Sequence, residues 1–574
     1  MNNKNKDIST NEKPKKLNVI WILGEAIRNY KGNDRFSRYE IIDELIPQGI
    51  YFQNIVATAP STLMSQSSIM TSQPPINLSR TNIDFNFDKS YFPTLATILK
   101  KEGYNVYGTT HYAEGRKLMK NIVFPLEKKN LPKGVKNDDN WTSKNVNDVF
   151  KKLLKDKLKE PFFLLLNYNN EEETQSYLKE TIKTLKKTGL YENSLFIFCP
   201  DHGWNDNTKK KIIKRHDYIL TDSNIFIHCF IKYPNCIKKN INTMVSSLDI
   251  TPTILDILNI PNQGFRFKGK SLLQFIQGKE TYDKKIFRTD IRYVFQKERA
   301  VSLRTDKYKY IHRFDPDEKI KEEFYNIIND SNEKNNLLNS NNLDNYTQKQ
   351  IFSFREELKN QEKELIKYHE NYINYKFNKE INKILKNKEK LKIIILGSAE
   401  KLFLKMIVNS INKTIKNYEL DIISNEKLLK ENINLNGKIN YYNINIQENS
   451  FSKKGEFRHK DEGRISNKIL IHFKKISFED FNNQYSNLYQ KEYDLILIPI
   501  DNPFGAGHKD IKKIVNKLKS KNKIYIDYNM NIKSNTDNWF IKGLSLIKSK
   551  KNYYLKNPKA LLIETKKYIS QTNK

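Results

Sequence analysis

The sequence predicts an α/β fold: a largely parallel central sheet with a small antiparallel subdomain, followed by a second, Rossmann-like α/β domain. Two observations carry this. Short apolar runs of strand length alternate with helix-length amphipathic segments, the pattern of βαβ units. The same alternation starts afresh near residue 390, after a long charged stretch. At roughly 100–200 residues per domain, a chain of this size holds two to four, and its 574 residues are 38% hydrophobic, enough to bury real cores.

The elements follow in order. "LNVIWILGE" (17–25) is a buried strand ending at Glu25. "YFPTLATILKKEGYNVYGTTH" (91–111) is a helix, a Gly turn and a strand that ends at His111. "PFFLLLNYNN" (161–170) is a strand, and "SYLKETIKTLKKTGLYENSLFIFCPDHG" (176–203) is a helix, a turn and a strand ending at Asp201. In parallel sheets functional residues gather at the carboxyl ends of strands. Glu25, His111 and the pair Asp201-His202 all stand at such ends. "RAVSLRTDKYKYIHRF" (299–314) reads as a β hairpin of the antiparallel subdomain.

The domain reading is a disordered basic N-terminus (1–16), a first domain (17–345), a helical linker (346–390) that is nearly free of Gly and Pro, and a Rossmann-like domain (391–574). Strands of the last are expected in "KLKIIIL", "YELDIIS" (418–424), "YDLILIPID" (493–501) and "KIYIDYN" (523–529), with a polar insertion over 440–490. The turns "LGSAEK" and "FGAGH" lack a full GxGxxG, so they read as plain Rossmann-like turns rather than a nucleotide site.

Charge and cysteines exclude several classes. With 100 basic against 66 acidic residues the net charge is +34, which can serve nucleic acid, anionic lipid or an acidic substrate. The lysines are dispersed and no RNA-recognition or zinc-finger pattern occurs, so no specific nucleic-acid partner is expected. Cys199, Cys229 and Cys236 form no CxxC, which argues against a disulfide framework or a zinc ribbon. "MNNKNKDISTNEKPKK" has no apolar core, so it is not a signal peptide. The apolar runs fall far short of the ~20 residues of a membrane span. The expected location is the cytoplasm, with peripheral contact at a membrane surface left open.

The chemistry concentrates in three stretches. "GEAIR" (24–28) puts a carboxylate directly after a strand, and "PDHGW" (200–204) puts Asp and His side by side on a Gly turn. Carboxylate oxygen and imidazole nitrogen together suit zinc or manganese. "PSTLMSQSSIMTSQPP" (60–75) holds seven hydroxyl side chains and no charge.

In this order the stretches resemble the alkaline phosphatase superfamily, in its sulfatase-like branch, over about residues 17–340. "APSTLMSQSSIMTSQPP" is similar to the family's nucleophile segment. That similarity makes Thr62 the nucleophile, with Ser61 its nearest competitor, and puts Ser72 where a Gly is usual. "GLYENSLFIFCPDHG", "SSLDITPTILDILNI" (246–260) and "EFYNIINDSNEKNNL" (323–337) resemble further family elements. Thr109 stands where sulfatases carry a sulfate-binding Lys. The resemblance implies one divalent metal ion, manganese or zinc before magnesium or calcium, held by Glu25, Thr62, Asp201 and His202. It also implies that His111 and His216 donate to the substrate's anionic oxygens or protonate the leaving group, with Lys214 a weaker candidate. Arg28 and His228 read as structural, and Asp249 as a helix cap.

Sulfatases need a Cys, oxidised to formylglycine, at the nucleophile and a pair of Asp after the first strand; Thr62 and the single Glu25 instead resemble the phosphoethanolamine transferases and lipoteichoic acid synthases. The reading is therefore a metal-dependent hydrolase or transferase that moves a phospho-substituent through Thr62. Its substrate is an anionic ester, such as a cell-envelope glycan or a lipid-linked precursor. Two rivals stay open: a phosphodiesterase or sulfuric ester hydrolase that passes the group to water, and an inactive binding or scaffold module.

Overall fold

A computed structural model of the chain describes residues 16–27, 40–78, 87–110, 142–156, 158–169, 171–204, 219–262, 264–292, 299–314, 321–340 and 342–384. Between 391 and 534 it describes the elements named below with a few flanking residues. The chain divides into two compact units, Met1–Gln361 and Glu362–Lys574.

In the first unit, strands β1 (Asn18–Gly24), β2 (Ile50–Val56), β3 (Asn105–Thr110), β4 (Phe162–Tyr168), β5 (Ser194–Phe198), β6 (Phe226–Lys232), β7 (Lys239–Ile241) and β8 (Val245–Ser246) form one sheet. Its order is β3-β4-β1-β5-β6-β2-β7, with β8 beside β2. Strands β3, β4, β1 and β5 run parallel, while β6 runs against both β5 and β2. Every residue of β1, β4, β5 and β6 is buried, as expected of strands covered on both faces. Trp21, Leu23, Leu165 and Ile197 pack on one face with Ile69 and Met70. Ile20, Ile22, Leu164 and Phe198 pack on the other with Phe150, Leu178 and Leu185.

Strands β9 (Phe287–Arg292), β10 (Arg299–Arg304), β11 (Tyr308–Arg313) and β12 (Glu322–Asn326) form an antiparallel sheet in the order β12-β11-β10-β9. The hairpin read from the sequence is its β10–β11 pair. This sheet grips the chain just before the candidate nucleophile: Thr289 Oγ1 donates to the Ala57 carbonyl at 2.7 Å, and Asp290 N donates to the Thr58 carbonyl at 2.9 Å.

A buried ionic network ties the same sheet to the turn that carries His202. Lys309 Nζ lies 3.1 Å from Asp222 Oδ1 and 2.9 Å from Glu333 Oε2, with its side chain fully buried. Arg304 Nη2 reaches Asp222 Oδ2 at 3.0 Å. Next to Asp222, Asn224 accepts the Gly203 N–H through its carbonyl at 2.9 Å. Removing one member of a buried ionic set leaves the others uncompensated, at a cost of about 3–5 kcal/mol. Lys309→Met is expected to lose stability of that order in urea denaturation, since it leaves the Asp222 and Glu333 carboxylates facing each other. A loss below ~1 kcal/mol would show that Arg304 alone balances both.

The stretch read as a linker lies largely in one helix, Asn345–Ile384. Its early turns belong to the first unit, where Ile351, Phe354 and Leu358 pack with Tyr310 and Phe324.

In the second unit, β13 (Leu391–Leu396), β14 (Tyr418–Ser424), β15 (Lys438–Asn443), β19 (Leu495–Ile500), β21 (Lys523–Asp527) and β22 (Ile532–Ser534) form a sheet in the order β15-β14-β13-β19-β21-β22. All its pairs are parallel except β21–β22. The chain thus starts at β13 in the middle, winds one way to β15, then returns and winds the other way, as in a doubly wound fold. The stretch read as a polar insertion over 440–490 is not irregular. It holds an antiparallel ribbon of two 14-residue strands, β16 (Ile446–His459) and β17 (Gly463–Ile476), and the helix Phe478–Tyr485. A two-residue pair, β18 (Glu492–Tyr493) with β20 (Lys519–Ser520), completes the unit. Residues 397–400 and 504–508 of the two glycine-containing turns lie outside the described residues.

Candidate active site

Neighbouring parallel strands end side by side, and this places the first residues of the site. Strand β5 pairs directly with β1, so Glu25 and Asp201 emerge next to each other. Asp201 N donates to the Gly24 carbonyl at 3.3 Å, and Glu25 N to the Tyr168 carbonyl at 3.1 Å. Ala26 then turns with φ +56°, which brings its N–H 3.1 Å from Asp201 Oδ1. His202 N donates to the same oxygen at 2.8 Å. Gly203 is required here because a Cβ would collide with the Ser223 carbonyl.

The hydroxyl-rich segment is the helix Thr62–Thr71. Ser61 is its N-cap, but the Ser61 side chain makes no capping hydrogen bond. The first-turn amides are therefore still available to an anion. Thr62, Ser65 and Gln66 stand at i, i+3 and i+4, one face of the helix, and all three contact the strand ends. Thr62 Oγ1 is 3.0 Å from Glu25 Oε1 and 3.3 Å from His202 Nε2. Ser65 Oγ donates to the Asp201 carbonyl at 2.5 Å. Gln66 Nε2 donates to Asp201 Oδ2 at 3.2 Å.

The tautomer of His202 follows from its neighbours. Its Nδ1 is 2.8 Å from the Gly203 carbonyl, which can only accept, so Nδ1 carries a proton. In the neutral ring Nε2 then presents its lone pair toward Thr62. The single Thr62 proton lies between two acceptors, a carboxylate oxygen and this nitrogen. Asp201 adds a second carboxylate. Burial, followed by the charge of Glu25, pushes its pKa up, against the opposing pull of His202 and the N–H donors of Ala26 and His202.

An acceptor-rich set of two carboxylates, an imidazole nitrogen and a hydroxyl fits a divalent cation by its chemistry. Among the described residues no three His, Cys, Asp or Glu side chains form a ready-made cage; the donors meet through Thr62 instead. Both Asp201 oxygens already accept hydrogen bonds, from Ala26 and His202 on one and from Gln66 on the other.

Other residues named from the sequence fall elsewhere. His111, Lys214, His216 and Arg28 lie outside the described residues. His228 is a core residue between the rings of Tyr51 and Phe198, and burial pushes its pKa down to about 4. Thr109 is buried in β3. Asp249 does not act as side-chain N-cap of the helix Ile250–Ile257, but one turn earlier it completes a capping box with Ser246 at the start of the 3-10 helix Ser247–Asp249. Its carboxylate accepts Ser246 N at 3.0 Å, Lys270 N at 2.9 Å and the Tyr282 hydroxyl at 2.6 Å, so it joins three segments. Gln66 escapes a motif reading, although its i+4 spacing from Thr62 is a signal that finds it.

Ser72, in place of the usual Gly, ends the helix with φ +51°, a left-handed conformation that disfavours side chains. Two hydrogen bonds offset that cost: Ser72 Oγ donates to the Leu248 carbonyl at 2.8 Å and accepts Gly269 N at 3.0 Å. Each such bond contributes about 1 kcal/mol. Ser72→Ala keeps the strain and loses both bonds, so it is expected to cost about 2 kcal/mol, whereas Ser72→Gly loses the bonds but relieves the strain. Urea midpoints should rank wild type above Gly and Gly above Ala; Ala equal to Gly would mean the strain is negligible.

Two family models match the chain. The model described as sulfatase matches residues 17–171, and the one described as N-sulphoglucosamine sulphohydrolase, C-terminal, matches residues 202–383. No curated protein sequence matches. Among solved structures, a 2-O GAG sulfatase is similar at 16% identity and TM-score 0.49, over 62% of this chain and 94% of that one. A protein solved in complex with its substrate D-glucosamine-2-N,6-O-disulfate is similar at 14% identity and TM-score 0.48, over 61% of this chain and 99% of the other. The phosphonate monoester hydrolase of Silicibacter pomeroyi is similar at 13% identity and TM-score 0.46, over 60% and 95%. Sulfatase-family enzymes generally depend on a divalent metal ion. Two models of the sulfatase family thus follow one another along the sequence, and residues 17–171 and 202–383 of this chain are sulfatase-like.

Proposed function

We propose that this protein is a metal-dependent phosphoester hydrolase or phosphotransferase in which Thr62 is the nucleophile. The observation that carries the proposal is the Thr62 hydroxyl between Glu25 Oε1 and His202 Nε2, at 3.0 and 3.3 Å, on the first turn of a helix. Glu25, Asp201 and His202, with Thr62 itself, would hold the divalent ion. When bound, that ion supplies a Lewis acid that acidifies a coordinated hydroxyl and offsets charge on the transferring group.

The chain's own residues do the rest. Glu25 and His202 orient the Thr62 hydroxyl, and Glu25 Oε1, 3.0 Å away, is placed to take its proton while the lone pair of His202 Nε2 is kept for the ion. Thr62 Oγ1 attacks phosphorus, the bond from phosphorus to the leaving oxygen breaks, and the leaving oxygen takes up a proton. Water or an acceptor alcohol then attacks the phosphothreonine at phosphorus and restores the Thr62 hydroxyl. The open amides of the first helical turn supply donors to the phosphoryl oxygens. By family resemblance His111 and His216 are assigned to donate to the anionic oxygens of the substrate or to protonate the leaving group.

A phosphoryl group suits this nucleophile better than a sulfuryl group. Formylglycine carries two hydroxyls on one carbon, so its sulfate ester can collapse to the aldehyde and expel sulfate. A threonine has one hydroxyl and no such exit. No cysteine stands near position 62 to be converted, because the three lie at 199, 229 and 236. The substrate class follows as an anionic phosphoester, with an envelope glycan or lipid-linked precursor as the proposed context. Among the described residues no helix is long and apolar enough to cross a membrane.

The test supplies the protein with manganese or zinc and offers chromogenic phosphodiester, phosphomonoester and sulfate esters. The expected result is turnover of a phosphoester, with a phosphoryl mass increment on the Thr62 peptide after acid quench. Turnover of the sulfate ester alone would overturn the assignment.

A further inference from the structure

The helix Thr62–Thr71 does more than present a nucleophile. One turn after Thr62, the Gln66 amide is buried and donates to Asp201 Oδ2 at 3.2 Å. On the same carboxylate, Oδ1 is held by two backbone donors, Ala26 N at 3.1 Å and His202 N at 2.8 Å. The two oxygens of Asp201 are thus fixed differently. The backbone of the strand ends pins one, and among the described residues this side chain alone pins the other. The Ser65 hydroxyl, beside Gln66, fixes the Asp201 carbonyl at 2.5 Å, so the helix grips this aspartate at both its main chain and its side chain.

We infer that Gln66 is a positioning residue that sets the orientation of the Asp201 carboxylate toward a divalent ion, and thereby the ion's affinity and coordination. This rests on the metal-site reading above. The chemistry favours an amide at this place. A cationic side chain against Asp201 would compete with the divalent ion for the same negative charge. An apolar side chain would leave Oδ2 buried without this donor and the carboxylate free to rotate. The neutral amide gives a hydrogen bond without adding charge. It also couples the ligand to the nucleophile: Gln66 and Thr62 are one helical turn apart, so a shift of the helix moves the hydroxyl and the carboxylate together. Groups that orient metal ligands typically contribute 10–100-fold in metal affinity.

The experiment uses the full chain, stripped of metal and titrated with manganese by calorimetry, then loaded with cobalt for its visible d–d spectrum. Wild type is compared with Gln66→Met, which keeps the volume and removes the donor, and with Ser68→Ala. Ser68 lies on the same helix, and its buried hydroxyl makes no hydrogen bond among the described residues. Gln66→Met is expected to weaken manganese binding 10–100-fold and to shift the cobalt bands, while Ser68→Ala leaves both unchanged. If Gln66→Met does not fold, Gln66→Glu, of nearly the same shape but without a donor when ionised, is expected to shift the cobalt bands in the same assay. Gln66→Met affinity within twofold of wild type with an unchanged spectrum overturns the inference; so does an unchanged spectrum in Gln66→Glu. Wild type that binds neither manganese nor cobalt overturns the metal-site reading itself, and the inference with it.

Discussion

Thr62→Ala is expected to abolish phosphoester turnover, by ~10⁴-fold or more, in line with the loss of other covalent nucleophiles. The fold should survive. Thr62 opens its helix and is only partly buried, and its hydroxyl makes no structural cap. The hydroxyl is the only group of Thr62 that can join phosphorus, so no neighbour replaces it cleanly. Ser61, the adjacent hydroxyl, sits one residue before the helix in extended backbone with φ −137°, and Ser65 is committed to the Asp201 carbonyl at 2.5 Å. Thr62→Ser should retain part of the activity because it keeps the oxygen and loses only the methyl that restricts its rotamer. The measurement is steady-state turnover of a chromogenic phosphodiester with manganese or zinc, together with intact-protein mass after quench. Undiminished turnover in the alanine variant would remove Thr62 from the mechanism, and an undiminished covalent mass would transfer the role to Ser61.

The second large effect is expected from chelation. Stripping divalent metal should bring turnover to background and lower thermal stability, with the stability gap between metal-loaded and metal-free protein wider at pH 8 than at pH 5. The sign follows from Asp201. Burial and the Glu25 charge raise its pKa in the metal-free fold. A carboxyl whose folded pKa is raised favours folding below its ordinary range, and that contribution is lost as pH rises through the raised value. At higher pH the metal-free protein must hold Glu25 and Asp201 ionised side by side, which costs stability. A divalent ion needs both deprotonated, so its binding strengthens over the same interval. At a thousandfold excess of ion over its Kd the stabilisation is about 4 kcal/mol. Melting temperatures with manganese and with EDTA at the two pH values check this. A gap that is equal, or larger at pH 5, would show that Asp201 does not face the ion.

Much of the fold and part of the site were readable before any coordinates. Strands β1, β4 and β5 are continuous apolar runs, too short for helices and bounded by turn residues, and their ends locate Glu25 and Asp201-His202. The stretch after Ser61 was read as a nucleophile segment by resemblance; that it is a helix with Thr62, Ser65 and Gln66 on one face appears only in the structure. The strand starts at Leu391 and Tyr418 came from the same apolar pattern. These features are local: a period of two or of 3.6 residues is written within a dozen positions.

What stayed hidden depends on pairings between distant segments. Gln66 meets Asp201 across 135 residues, and Ser72 meets Gly269 across 197. Nothing near Asp249 announces that its carboxylate, besides capping Ser246 N, will take Lys270 and Tyr282. The ribbon of β16 and β17 was missed because its strands mix charged and apolar residues without a long apolar run. Hydrogen-bond partners are chosen by which strand ends become neighbours in the sheet. That choice minimises exposed apolar surface over the whole unit, and no single stretch of the chain encodes it. The composition of the site, a threonine beside a glutamate and an aspartate-histidine pair, belongs to the chain as written. Its geometry, with one hydroxyl proton between two acceptors and an amide on the aspartate, exists only after β1, β5 and the helix Thr62–Thr71 have packed together.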